Sequence, residues 1–80
     1  MARIKSFFEV KANSKLHPTE VDCGWTRMRV GGKPILQLNT YGSDTRQSEP
    51  KVSQTIQIDE AAARDLLLVM LEAFPTLRSA

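Results

Sequence analysis

Hydrophobic positions along the 80 residues recur every second residue through most of the chain and with a helical period near its end. The alternation predicts four strands. Arg3 to Lys11 is the first, with Ile4, Phe8 and Val10 on one face and Lys5, Phe7, Glu9 and Lys11 on the other. A polar stretch containing Asn13, Ser14 and Pro18 follows. Glu20 to Val30 reads as the second strand and Lys33 to Tyr41 as the third. Between them Gly31-Gly32 fits a two-residue hairpin, because primed turns require positive φ that glycine adopts at little cost. Gly42 to Pro50 is a polar loop, and Lys51 to Ile58 the fourth strand.

Asp59 is a good helix N-cap, and the pattern from Glu60 to Phe74 predicts a helix that Pro75 ends. Ala63, Leu66, Leu67, Met70 and Phe74 form one stripe on it. Leu68, Val69 and Leu71 extend the apolar arc beyond what one sheet face covers. The fold class that follows is α+β: one domain, residues 1–80, with a four-stranded antiparallel sheet and a C-terminal helix (ββββα). The surplus apolar arc points to a homodimer packed through Leu68, Val69, Leu71 and Phe74. A domain this small buries only about 60% of the surface its unfolded chain exposes, so a partner subunit would also support a marginal core.

The strands put a distinctive set of residues on the side assigned away from that core. Trp25, Arg27 and Arg29 are placed outward on the second strand, Gln37, Asn39 and Tyr41 on the third, and Lys51, Ser53, Thr55 and Gln57 on the fourth. With Leu36, Leu38, Val52, Ile56 and Ile58 inward, Gln54 is the polar member of the inward set. A face that mixes aromatic rings, cations and uncharged hydrogen-bonding groups suits an unpaired nucleic-acid strand, whose bases stack and whose phosphates need neutralising. Lys5, Lys33 and Arg46 complete the candidate cations.

Charge sharpens this picture. The net charge is +2, but residues 1–58 carry nine Lys/Arg against five Asp/Glu, while residues 59–80 carry two against four. The basic excess therefore lies in the strands. Hydrophobic residues at 41% and charged residues at 25% describe an ordinary globular domain. The longest strictly apolar run, Leu66 to Leu71, is far below the roughly 20 residues of a membrane span, and the expectation is a cytoplasmic protein.

Catalytic and metal chemistry find little foothold. The single cysteine, Cys23, reads as a semi-buried strand residue that has no internal disulfide partner. The single histidine, His17, precedes Pro18 in a loop without zinc-site spacing around it. The carboxylates are spread over a helix cap, loops and a helix surface, with no nucleophile and base pair. The expectation is a binding protein, not an enzyme, with no cofactor and no metal.

Trp25-Thr26-Arg27-Met28-Arg29-Val30-Gly31-Gly32-Lys33-Pro34-Ile35-Leu36-Gln37-Leu38-Asn39-Thr40-Tyr41 resembles the two paired strands of the positive cofactor four family of transcriptional coactivators, in their C-terminal domain. Pro50-Lys51, leading to Ile56-Gln57-Ile58-Asp59 and the helix, is similar to that family's fourth-strand entry. The resemblance runs from about Glu20 to Phe74. It implies a homodimer packed through its helices that binds single-stranded DNA across its sheets, in transcription or DNA maintenance. Carried over by position, Arg27, Arg29 and Lys51 would contact phosphates, and Tyr41 or Trp25 would stack on bases. The chain departs from the family at Gly42, where a second aromatic is common, and at Ser53 and Gln54, where a more basic, glycine-containing entry is usual. DNA and RNA are both open as ligands. The alternative is a protein interaction module, such as a phage or mobile-element inhibitor, whose Trp25, Tyr41 and Phe7 form a hot spot for a protein partner.

Overall fold

The computed structural model describes residues 1–42 and 51–79. Its elements are β1 (Ala2–Arg3), β2 (Cys23–Val30), β3 (Lys33–Tyr41), β4 (Val52–Asp59), α1 (Glu60–Ala73) and a short 3₁₀ turn at Pro75–Ser79. The strands form one sheet in the order β1-β4-β3-β2. This is the α+β arrangement of four strands and a following helix that the sequence predicts, with two corrections.

The sheet is mixed. β3 pairs antiparallel with both β2 and β4, whereas β1 pairs parallel to β4, with Ala2 opposite Ile56 and Arg3 opposite Gln57. The first strand is also far shorter than the alternation over Arg3 to Lys11 suggests. Ile4 still donates its N–H to the Gln57 carbonyl at 2.9 Å. Two residues further along β4 the backbone enters α1, where N–H and C=O groups bond along the helix and offer no ladder. Residues 4–22 therefore continue as an arm without regular structure, carrying Phe8, Val10 and Leu16 exposed.

The hairpin is as predicted. Gly31 and Gly32 have φ of 59° and 81°, and Val30 faces Lys33 across the turn. Such a turn matches the right-handed twist of its strands. At the other end of β3 the register shifts between Thr40 and Tyr41, and Ser53 Oγ lies 2.9 Å from Thr40 Oγ1. Gln54, the polar residue among the inward positions, is exposed at this end of the sheet, so its amide is open to solvent.

Asp59 caps α1, its carboxylate accepting the Ala62 N–H at 2.9 Å. The helix ends at Ala73, one residue before the predicted end, with Phe74 donating its N–H to the Met70 carbonyl. α1 packs on β4 through Ala62 and Ile58, each 2% exposed and the two fully buried apolar residues among those described. Ile58 lies opposite Leu36, so α1 stands on the side of the sheet that also holds Leu38 and Ile56, all three of these strand neighbours remaining half-buried.

That core is small for the chain. A compact 9.0 kDa domain exposes about 4,900 Å², whereas this one exposes 7461 Å². The radius of gyration, 15.1 Å, likewise exceeds the roughly 11.6 Å of a compact domain of this length. Part of the excess belongs to the arm. On the helix side Trp25, Leu67, Leu68, Val69 and Phe74 add exposed apolar surface. No described helix is long and apolar enough to cross a membrane.

Candidate nucleic-acid interface

Residues directly opposite in an antiparallel pair project to the same face of a sheet. Register therefore decides which of the predicted site residues act together. Trp25 is opposite Leu38, Arg27 opposite Leu36 and Arg29 opposite Pro34. Those partners belong to the helix side. The expectation that Trp25, Arg27 and Arg29 share a face with Gln37, Asn39 and Tyr41 is thus corrected: the two sets lie on opposite sides of the sheet. Ser53 also leaves its predicted set, because the register shift turns its hydroxyl onto Thr40, whose carbonyl it bonds at 3.2 Å.

The helix-free face is built from Thr26, Met28, Val30, Ile35, Gln37, Asn39, Thr55 and Gln57, with Tyr41 at one end. Its centre is a row of mutually bonded uncharged groups. The Thr55 hydroxyl donates to Asn39 Oδ1 at 2.9 Å, and Gln37 Nε2 donates to the same oxygen at 3.3 Å. Gln57 Nε2 donates to Gln37 Oε1 at 2.9 Å and lies 4.0 Å from Met28 Sδ. Each bond fixes a side chain that would otherwise sample several rotamers, so donors and acceptors are held in place before any ligand arrives. All four polar residues are half-buried by their neighbours.

Tyr41 owes its position to Gly24. A Cβ at Gly24 would stand 3.2 Å from Tyr41 Cε2 and 3.5 Å from its hydroxyl oxygen. The absence of a side chain lets the outer half of the half-buried ring lie on β2. The sequence pattern identified Tyr41 but not this seat, whose signal was the glycine inside an otherwise regular strand.

Two cations border this face. Arg3 sits opposite Gln57, and Lys33, one of the predicted cations, opposite Val30. Lys51 leaves its predicted set as Ser53 does: Val52 lies opposite Tyr41, so alternation turns the preceding Lys51 away from this face, and its carbonyl accepts the Gly42 N–H at 3.2 Å. Lys5 lies on the arm just beyond β1. Arg46 lies outside the described residues. Arg3 is a member that sequence reasoning missed, since its place depends on the parallel pairing of β1.

On the helix side, Trp25, Arg27 and Arg29 run as a stripe along β2, at the sheet edge. Trp25 is 65% exposed. Arg29 Nη1 donates to the Gly32 carbonyl at 3.0 Å, which straps it over the hairpin. Beside the stripe an open groove of about 690 Å³ separates β2 and β3 from the start of α1, lined by Arg27, Leu36, Ile58, Asp59 and Ala63 among others. Of the predicted dimer residues, Leu68, Val69 and Phe74 are exposed and Leu71 is half-buried; Leu67, not among them, is exposed too.

The remaining chemistry is sparse. Cys23 is exposed, not semi-buried, and its thiol faces the Gly24 carbonyl at 3.7 Å. His17 Nδ1 accepts the Thr19 N–H at 3.2 Å, a local loop contact. Among the described residues no group of three His, Cys, Asp or Glu is arranged to hold a metal ion. No family model, curated protein or solved structure matches this chain.

Proposed function

We propose that this protein is a homodimeric single-stranded nucleic-acid-binding protein and that the helix-free face of its sheet receives the strand. The observation that carries this reading is the ordered row of Thr55, Asn39, Gln37 and Gln57 running up to the Tyr41 ring on Gly24. Fixed uncharged groups can bond base edges, a seated ring can stack on a base, and Arg3 and Lys33 border the same surface to meet phosphates. The reading assigns no catalytic step. Unpaired strands fit better than a duplex, whose bases are already stacked and cannot reach the tyrosine ring.

The homodimer is supported by the excess exposed surface, about 2,600 Å² above that of a compact chain. Obligate dimers bury about 2,000 Å² or more in total. Half of that per subunit is well within the excess. The helix residues Leu67, Leu68, Val69 and Phe74 form its apolar centre.

Fluorescence anisotropy of labelled single-stranded and duplex oligonucleotides across a salt series tests the ligand. The expected result is preference for the single strand with affinity falling as salt rises, and Lys33→Ala lowering the magnitude of the salt slope by about one. Absence of binding at low salt would refute the reading and turn the search for a ligand to proteins.

A further inference from the structure

The register that removes Trp25, Arg27 and Arg29 from the helix-free face leaves them without a role there. They form a stripe of one indole and two guanidinium groups on the helix side of an edge strand. Alternate residues on a strand are about 6.7 Å apart, so the stripe is about 13 Å long.

A second surface on the same molecule has the opposite character. Asp65, Leu68, Val69 and Glu72 are spaced i, i+3, i+4 and i+7, which places them on one face of α1. All four are exposed, Leu68 at 59% and Val69 at 47%. Two apolar side chains are thus flanked by two carboxylates over about 10 Å of helix. Elsewhere on α1, Glu60 already faces Arg64 at 3.5 Å. Among the described residues Asp65 and Glu72 have no cation partner, and Arg27 has no carboxylate partner.

From this complementarity we infer that the Trp25, Arg27 and Arg29 stripe of one copy receives the Asp65, Leu68, Val69 and Glu72 face of α1 from a second copy. The indole covers Leu68 and Val69, and the guanidinium groups meet the carboxylates. A two-fold axis repeats the contact, each subunit giving its helix face and its stripe once. This rests on the homodimer proposed above and assigns its contacts: the interface includes the sheet edge, and Trp25 stacks on no base.

The chain contains one tryptophan, so its own emission reports on the contact. Sedimentation and emission spectra are measured together over a dilution series. The expected result is a red shift of Trp25 emission that coincides with dissociation to monomers. Emission that stays constant while the dimer dissociates would overturn the inference and leave the homodimer standing. A chain that is monomeric at every concentration would overturn both.

Charge exchange gives an independent arm. Arg27→Glu/Arg29→Glu and Asp65→Arg/Glu72→Arg are made as two separate double variants, all at exposed positions, with circular dichroism confirming the fold. Each alone dimerises at least about tenfold more weakly, because like charges meet at both copies of the contact. Mixed in equal amounts they form a heterodimer, since each helix face then meets a stripe of opposite sign. Dimerisation of either variant at wild-type strength, or a mixture that stays monomeric, would refute the pairing. Leu68→Glu separates the cases: if it alone yields monomers, the helix interface holds and the stripe lies outside it.

Discussion

Replacing Gly24 by valine should abolish the tyrosine's contribution to binding without unfolding the domain. The Cβ added at this position stands 3.2 Å from Tyr41 Cε2, inside the 3.5–4.0 Å at which carbon atoms attract one another best. Alanine at this site asks the ring to yield by a few tenths of an ångström. Valine places two further carbons on the same side, and the ring must leave its seat. Stability changes little, for two opposing reasons. Gly24 does not occupy the positive-φ region, so relieving the entropic cost of a strand glycine contributes about 0.5–1 kcal/mol. Loss of the ring's packing on β2 costs a similar amount.

Binding responds differently. Stacking of a base on an aromatic side chain is worth about 1–3 kcal/mol, or about 5- to 150-fold in affinity. Gly24→Val should therefore weaken single-strand binding by about as much as Tyr41→Ala does. The double variant should be no weaker than either single one, because both remove the same interaction. Urea unfolding and anisotropy titrations on the three variants supply the measurements. Full additivity in the double variant, or wild-type binding by Gly24→Val, would show that the seated ring does not touch the ligand.

Three other substitutions test the fold that carries the site. Ile58→Ala removes the larger of the two fully buried apolar side chains and should cost about 2–5 kcal/mol in urea unfolding, a large part of the roughly 4–12 kcal/mol expected of 80 residues. Asp59→Ala removes the carboxylate that accepts the Ala62 N–H and should cost about 1 kcal/mol, with a matching fall in thermal midpoint. Gly32→Val forces a β-branched residue to a φ of 81° and should destabilise the hairpin by about 1–2 kcal/mol or more; an unchanged midpoint would mean that the turn has another conformation.

Local signals identified most elements. The glycine pair specified the hairpin, Asp59 the start of the helix and Pro75 its end, because each acts through its own backbone geometry. The first strand was overread for the opposite reason. Its alternation is genuine, but a strand needs a neighbour, and only the fold reveals that β4 turns into α1 two residues past the last bond from Ile4. The division of the site was legible and yet missed. A two-residue turn at Gly31-Gly32 forces Val30 opposite Lys33, and counting outward brings Arg27 opposite Leu36 and Trp25 opposite Leu38. Assigning Leu36 and Leu38 to the core should have sent the tryptophan and both arginines to the helix side. Their polarity argued for solvent, and both demands are met at a sheet edge that α1 does not cover.

Separating the two faces changes what binding measurements mean. If the helix sides close against each other, a dimer carries two helix-free faces on one body, and a strand long enough to reach both gains from effective concentration without any new contact. A strand that reaches one face gains nothing. Raising the oligonucleotide length should therefore produce a step in affinity for the wild type and a gradual change for Leu68→Glu, whose single face remains intact. Since Leu68 is distant in register from Tyr41, lying on the helix and not on the sheet, a step that persists in the monomeric variant would mean that one face alone accommodates the longer strand.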